Sequence, residues 1–255
     1  MVKYKVSAVS YLNTIPFIYG LKNSPIFDQI ELTLDFPALC ADKLINNEVD
    51  IALVPVVVIP QLENAYIISD YCIGSDGKVD TVCLYSDVPI EEIQTIALDY
   101  QSITSVALLK ILLKEYWQIK PELNNTELGF EDKIKGKHAA LVIGDRAFEL
   151  NTKHQYIYDL SAIWKKMTGL PFVFAAWVSN TKLSQDFILA FNNALENGLT
   201  DIDKAIALEG DNYSNCENPE DYLNHKISYL LDAEKQKGMA LFLEKLVSPQ
   251  IINSI

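Results

Sequence analysis

Four short polar turns carry the side chains that could do chemistry in this chain. They are Ser10, Tyr11, Asn13 and Thr14; residues 74–78 with Ser75 and Asp76; Ser102, Thr104 and Ser105; and Gly144 with Asp145. Each follows a run that reads as a β-strand. The groups on offer are hydroxyls, an amide and the free backbone N–H groups of a turn or helix start. Such groups bind oxyanions and hold a reacting group in place without needing a base of their own. The run from Ser102 to Ser105 is the best anion cradle of the four, because a long helix follows it. Any one turn is also ordinary capping chemistry. It is their shared place at strand ends, where α/β proteins take up ligands, that points to a site.

Other chemistries find little support. The three histidines, His138, His154 and His225, fall outside the turns, so a histidine general base is not expected. The acids in or beside the turns are Asp76, Asp80, Asp99 and Asp145, and exposed turn aspartates usually cap or stay solvated. The four cysteines, Cys40, Cys72, Cys83 and Cys216, form no C-x-x-C pair and lie at no metal-ligand spacing to a histidine. Cys40, Cys72 and Cys83 read as small core residues. No G-x-G-x-x-G and no phosphate-loop lysine motif occurs, which argues against a nucleotide cofactor. Neither a metal nor a nucleotide cofactor is expected.

The charge balance narrows the partners. The net charge of −13 argues against nucleic acid and against anionic membrane surfaces. Arg146 is the only arginine. An anionic substrate therefore meets no cluster of guanidinium forks, and helix N-termini, hydroxyls, amides and one lysine or Arg146 would have to hold it. No apolar run reaches a membrane span, and the N-terminal run lacks the apolar segment of a secretory signal, so a cytoplasmic protein is expected.

The elements that must position these turns alternate. Strands are expected over 4–9, 30–35, 50–55, 66–71 and 79–85, giving a first, mostly parallel α/β block. In it, Pro16 opens a short helix ending at Gly20, capped by Asn13 or Thr14. A helix over 38–47 and a short apolar helix over 56–59 complete the block. After a shift at 86–89, a second block has strands over 95–99, 138–143, 156–160 and 172–179. Its helices are expected over 106–117, 146–150 and 161–168, with Asn124 and Asn125 in a loop. From Asn180 onward the pattern is helical only, with Asn218-Pro219 as a helix start. Residues 1–85 and 178–255 are expected to form one lobe and 86–177 the other. If 79–85 and 172–179 both cross, a cleft lies between the lobes.

Several of these segments together resemble the chorismate dehydratase family of the futalosine route to menaquinone. They are Val9-Ser10-Tyr11-Leu12-Asn13-Thr14-Ile15-Pro16-Phe17, Ile73-Gly74-Ser75-Asp76-Gly77, Ser105-Val106-Ala107-Leu108-Leu109, Leu141-Val142-Ile143-Gly144-Asp145 and the run from Thr168-Gly169-Leu170-Pro171 to Ala175. The resemblance runs in order from about residue 9 to 177, and the opening motif is its most specific part. Val56 departs from it, standing where many relatives carry a serine, as do Tyr100 and Gln101 before the helix.

The resemblance implies a two-lobed fold like type II periplasmic binding proteins, with an interlobe cleft and a helical C-terminal tail. It implies conversion of chorismate to 3-[(1-carboxyvinyl)oxy]benzoate and water without a cofactor, in a monomer or homodimer. Asn13 would then be the catalytic residue, with Ser10, Thr14, Pro55, Ser75, Ser102, Thr104, Ser105, Gly144 and Asp145 binding substrate. The alternatives at this level are the sister enzyme that forms 1,4-dihydroxy-6-naphthoate and a solute-binding protein of the same fold.

Overall fold

The structure is a computed structural model and describes residues 3–213 and 215–247. Met1 and Val2, the start of the N-terminal run read above, lie outside the described residues. In chain order the elements are β1 (Tyr4–Val9), α1 (Ile15–Lys22), β2 (Ile30–Asp35), α2 (Pro37–Ile45), β3 (Ile51–Pro55), β4 (Tyr66–Ser75), β5 (Val82–Ser86), β6 (Thr95–Leu98), α3 (Ile103–Leu112) and β7 (Glu122–Asn125). They continue with β8 (His138–Ile143), α4 (Arg146–Leu150), β9 (Tyr156–Asp159), α5 (Leu160–Thr168), β10 (Phe172–Ser179), α6 (Gln185–Thr200), α7 (Ile202–Glu209), α8 (Pro219–Asp221), β11 (Ser228–Leu230) and α9 (Ala233–Val247).

The chain divides into two compact units, Met1–Gly74 with Val173–Asp232, and Ser75–Phe172 with Ala233–Ile255. The first holds a sheet in the order β11-β4-β10-β3-β1-β2. β1 pairs in parallel with β2 and β3, but β10 runs antiparallel to β3 and β11 antiparallel to β4. The sheet is therefore mixed rather than mostly parallel, and its antiparallel members come from the C-terminal half of the chain. β3 is buried along its whole length, which is why 51–55 reads as a continuous apolar run.

α1 lies against α6 at backbone contact distance. A Cβ on Gly20 would stand 2.0 Å from the carbonyl oxygen of Ala194, and one on Gly198 would stand 1.9 Å from that of Pro16. Gly20 is thus not the helix stop that the sequence suggests. It sits inside α1, which runs on to Lys22, because only glycine lets the two backbones approach this closely.

The second unit holds a sheet in the order β7-β6-β8-β5-β9. β6 is parallel to β7 and β8, while β5 is antiparallel to β8 and β9. These pairings bind β5 into this unit, where the sequence grouping had put residues 75–85 with the first lobe. α9 joins it too. Phe242 makes edge-to-face contacts with Trp164 and Phe172 at centroid distances of 6.1 and 5.0 Å. Lys245 reaches Glu115 at 2.5 Å. α3 buries Leu108, Leu109, Ile111 and Leu112 completely, each contributing roughly 1.5–3 kcal/mol of transfer free energy.

Three further local expectations are corrected. Asn124 and Asn125 form the end of edge strand β7, paired with Ala97 and Leu98, rather than a loop. The helical tail contains a strand, β11, whose register partner on β4 is Gly74. The expected long helix over 106–117 starts earlier, at Ile103, and continues past Leu112 as a π-helical turn, Leu113–Trp117. Among the described residues no helix is long and apolar enough to cross a membrane.

Candidate functional site

In the first unit, β1 ends at Val9 and the chain turns through Ser10 into a 3₁₀ turn, Leu12–Thr14, that feeds α1. Ser10 is anchored by its backbone: its N–H donates to the carbonyl of Asp35 at 2.9 Å. Its own carbonyl accepts from the Tyr213 hydroxyl at 3.4 Å. Thr14 is fully buried, and its hydroxyl donates to Asn13 Oδ1 at 3.0 Å. That bond fixes the orientation of the Asn13 amide and leaves Nδ2, a two-proton donor, without a partner among the described residues.

Neither Asn13 nor Thr14 caps α1 through its side chain; Pro16 in the first turn removes one N–H that would need a cap. The carbonyl of Asn13 is held by Tyr229, whose hydroxyl donates to it at 3.0 Å. Tyr229 is buried against Phe17, and burial raises its pKa well above the ordinary tyrosine value, so it stays a neutral donor. Nothing local in the sequence marks Tyr229, which lies 216 residues away on β11. Pro55 ends β3, is buried, and pairs with Ala175.

In the second unit, Ser102 is the N-cap of α3. Its hydroxyl accepts from the Ser105 N–H at 3.1 Å and lies 2.9 Å from the Ser105 hydroxyl. Ser102, Thr104 and Ser105 could each cap by residue type, and the structure uses only Ser102, the one with extended backbone angles. Thr104 and Ser105 sit in the first turn, each 1 % exposed. Thr104 Oγ1 is buried without a hydrogen-bond partner. A buried hydroxyl without a partner costs about 1–3 kcal/mol. Two other such atoms occur among the described residues, Trp177 Nε1 and Asn180 Oδ1, but only Thr104 stands at a helix start.

The sole arginine does not stand free. Arg146 Nη2 donates to both oxygens of Asp99 at 2.7 and 2.8 Å and to Gln101 Oε1 at 3.2 Å, and Nη1 pairs with Glu131. Its guanidinium also lies over the rings of Tyr100 and Phe130, 5.4 and 5.7 Å from their centroids. Asp99 in turn accepts from the backbone N–H groups of Gln101 and Ile143, both at 2.9 Å. Burial raises the Asp99 pKa, and Arg146 and the two N–H donors oppose that rise. The network therefore pins the segment 99–102, which delivers the α3 cap. Gly144 adopts a left-handed φ of 68° and donates its N–H to the Thr81 carbonyl at 2.9 Å. Asp145 follows as the N-cap position of α4, making no side-chain cap bond there.

Ser75, expected on a turn, is instead the last residue of β4 and fully buried. Its hydroxyl meets that of Ser161, on α5, at 2.5 Å. The meeting is arranged by Asp159, the N-cap of α5, which accepts from the N–H groups of Val79, Asp80 and Ala162 at 2.8–2.9 Å. Burial raises the Asp159 pKa. Ser161 is not among the residues expected from sequence, because a serine in the first turn of a helix carries no signal by itself.

The remaining acids of the turns are engaged elsewhere. Asp76 pairs with Lys165 at 2.6 Å and Asp80 with Lys78. The histidines make local pairs: His138 with Thr95, His154 with Asp87, and His225 with Asp221. Burial pushes the Cys40 thiol up to about 12, so it is a core residue rather than a nucleophile. Among the described residues no group of three or more His, Cys, Asp or Glu side chains is placed to hold a metal ion.

Comparison with known proteins places the chain in a family. A family model described as menaquinone biosynthesis matches residues 4–248, nearly the whole chain. The chain belongs to that family. Within it, a chorismate dehydratase of Thermus thermophilus is 29 % identical over 192 residues, covering 68 % of this chain and 69 % of the relative. One of Campylobacter jejuni is 29 % identical over 171 residues, covering 66 % and 63 %. The matched part thus spans about two thirds of each relative's length.

Solved structures are similar in fold. A protein of Archaeoglobus fulgidus superposes with a TM-score of 0.76 at 14 % identity, covering 98 % of both chains. A protein of Parabacteroides distasonis described as an ABC transporter gives 0.65 at 19 %, covering 100 % and 96 %. The periplasmic aliphatic sulphonate-binding protein of Escherichia coli gives 0.61 at 14 %, covering 100 % and 92 %. At these identities the likeness is one of fold: a menaquinone-biosynthesis protein built on the periplasmic-binding-protein plan.

Proposed function

We propose that this member of the menaquinone-biosynthesis family is a chorismate dehydratase, a carbon–oxygen lyase acting on chorismate in the cytoplasm. The observation that carries the reading is the family match over residues 4–248 with two chorismate dehydratases among its relatives. The two clusters are consistent with it, since they supply oriented amide and hydroxyl donors rather than a histidine base.

The reaction asks little acid–base power of the protein. The C3–H bond of chorismate is activated by conjugation to the ring carboxylate. Its proton passes to the substrate's own side-arm carboxylate and on to the C4 hydroxyl, which leaves as water while the freed electron pair completes the aromatic ring. The protein must hold the side-arm carboxylate against C3 and assist the departing hydroxyl.

In this proposal Asn13 Nδ2, oriented by Thr14, donates to the reacting part of the substrate. Ser10 and Pro55 shape the same corner. Ser75 and the α3 start, with Ser102, Thr104 and Ser105, receive carboxylate oxygens. Gly144 and Asp145 also contact substrate. The orphaned Thr104 hydroxyl supports the α3 assignment, because a carboxylate oxygen would supply the acceptor it lacks. Arg146, committed to Asp99 and Glu131, positions the α3 cap rather than clamping substrate.

The test is direct. Purified protein incubated with chorismate should yield 3-[(1-carboxyvinyl)oxy]benzoate with no added metal or cofactor. Tight binding of chorismate without turnover would instead mark a binding protein.

A further inference from the structure

The turn that carries Asn13 is not held by caps of its own. Neither the 3₁₀ turn Leu12–Thr14 nor helix α1 behind it has a side-chain cap bond at its start, and a single 3₁₀ turn has poor hydrogen-bond geometry. Support comes from the C-terminal part of the same unit. The Tyr229 hydroxyl donates to the Asn13 carbonyl at 3.0 Å, and that of Tyr213 to the Ser10 carbonyl at 3.4 Å. The peptide between Asn13 and Thr14 is thereby pinned on both edges, because its N–H donates to the Tyr11 carbonyl at 3.0 Å. That one plane joins two residues whose side chains also bond to each other, Thr14 Oγ1 to Asn13 Oδ1. Turning the plane would turn the Asn13 amide with it.

Tyr229 is itself set to reach this turn. Its ring is buried edge-on against Phe17, with centroids 5.2 Å apart. The register of β11 on β4 shifts between Ser228 and Leu230, and such an irregularity re-aims the side chain it carries. A ring that only filled the core would need no hydroxyl. Here the hydroxyl ends on the backbone of a half-buried residue whose Nδ2 has no partner among the described residues. We infer that Tyr229 is a positioning residue for catalysis: its hydroxyl fixes the peptide plane after Asn13, and with it the aim of the Asn13 amide. The inference rests on the proposed dehydratase reading, in which Asn13 acts in the chemical step.

The expected signature is a loss of rate that depends on Asn13. Tyr229→Phe keeps the ring and its packing and removes only the hydroxyl. It should lower kcat for chorismate about five- to thirtyfold, since a misaimed catalytic group costs more than the one hydrogen bond that held it. KM should stay within about twofold, because Tyr229 does not touch substrate. In the Asn13→Ala background the same substitution should change kcat less than about twofold, because no amide is left to aim.

Thermal unfolding of all three variants, with rates taken well below each Tm, separates folding from catalysis. A kcat unchanged by Tyr229→Phe, the same fold-loss in both backgrounds, or a loss carried by KM alone would overturn the inference and leave the dehydratase reading standing. A wild-type enzyme inert toward chorismate would overturn that reading, and the inference with it.

Discussion

Replacing Arg146 by methionine tests whether the sole arginine is a strap or a clamp. The Asp99 side chain is completely inaccessible and that of Arg146 is one quarter exposed, so the pair is largely desolvated. Removing one partner of a buried pair costs about 3–5 kcal/mol, because the other charge is left uncompensated. Here two backbone N–H donors, from Gln101 and Ile143, stay on Asp99, which places the loss at the low end, about 3 kcal/mol. In a chain of this size that lowers Tm by roughly 6–12 °C.

The deficit should also depend on pH, with a definite sign. Asp99 has a folded pKa raised above its unfolded value, so the folded state gains stability relative to the unfolded one as pH falls through the folded pKa. Losing Arg146 raises that pKa further. The variant's deficit should therefore shrink in mildly acidic buffer, and Asp99→Asn in the same background should recover part of the loss at neutral pH. Urea titrations of the wild type, the Arg146→Met variant and the double variant, at neutral and acid pH, measure all of this. A variant with unchanged stability but a KM for chorismate raised tenfold or more would refute the reasoning and make Arg146 a substrate clamp.

Two other perturbations follow from single contacts. Gly20→Ala places a methyl 2.0 Å from the Ala194 carbonyl oxygen, a backbone atom that can move only with α6; the expected loss is about 3 kcal/mol or more by denaturant unfolding, and because α1 follows directly on the turn that holds Asn13, kcat should fall as well. Asp35 has the opposite pH sign to Asp99: although burial raises its pKa, hydrogen bonds from Lys43, Ser7 and Thr33 carry it below 3.8. Its contribution is present above pH 3.8 and is lost as pH falls through the depressed value, so Asp35→Asn should lower Tm at neutral pH and flatten the acid limb of a Tm-against-pH curve.

Much of the framework can be read from local pattern. β1, β2 and β8, with Gly169 capping α5, stand where alternation and turn chemistry put them. What local pattern misses is what depends on distant partners. Gly20 reads as a helix stop until α6 is seen against it. Ser75 reads as a turn residue, yet β4 runs on to it, with β11 registered against Gly74. The polar corners show the same division. The α3 cap falls on one of three hydroxyl residues, Ser102, Thr104 and Ser105, that the sequence offers without choosing between them, and the asparagine stands out in its motif. Tyr229, which holds that asparagine's carbonyl, and Ser161, which meets Ser75, come from β11 and α5 and carry no motif. Arg146 was visible as the lone guanidinium, but its commitment to Asp99 and Glu131 depends on a buried charge that only packing reveals.

The central claim is that an oriented amide, with no histidine and no metal, is enough to turn chorismate into an aromatic product. The measurement that tests it is product formation by the wild type and by Asn13→Ala, each treated with chelator and followed by liquid chromatography with mass detection. The account predicts 3-[(1-carboxyvinyl)oxy]benzoate from the wild type, and a kcat lower by about 10²–10³ in a variant that folds normally. Equal turnover by the two proteins, or wild-type activity that vanishes with chelation, would contradict it.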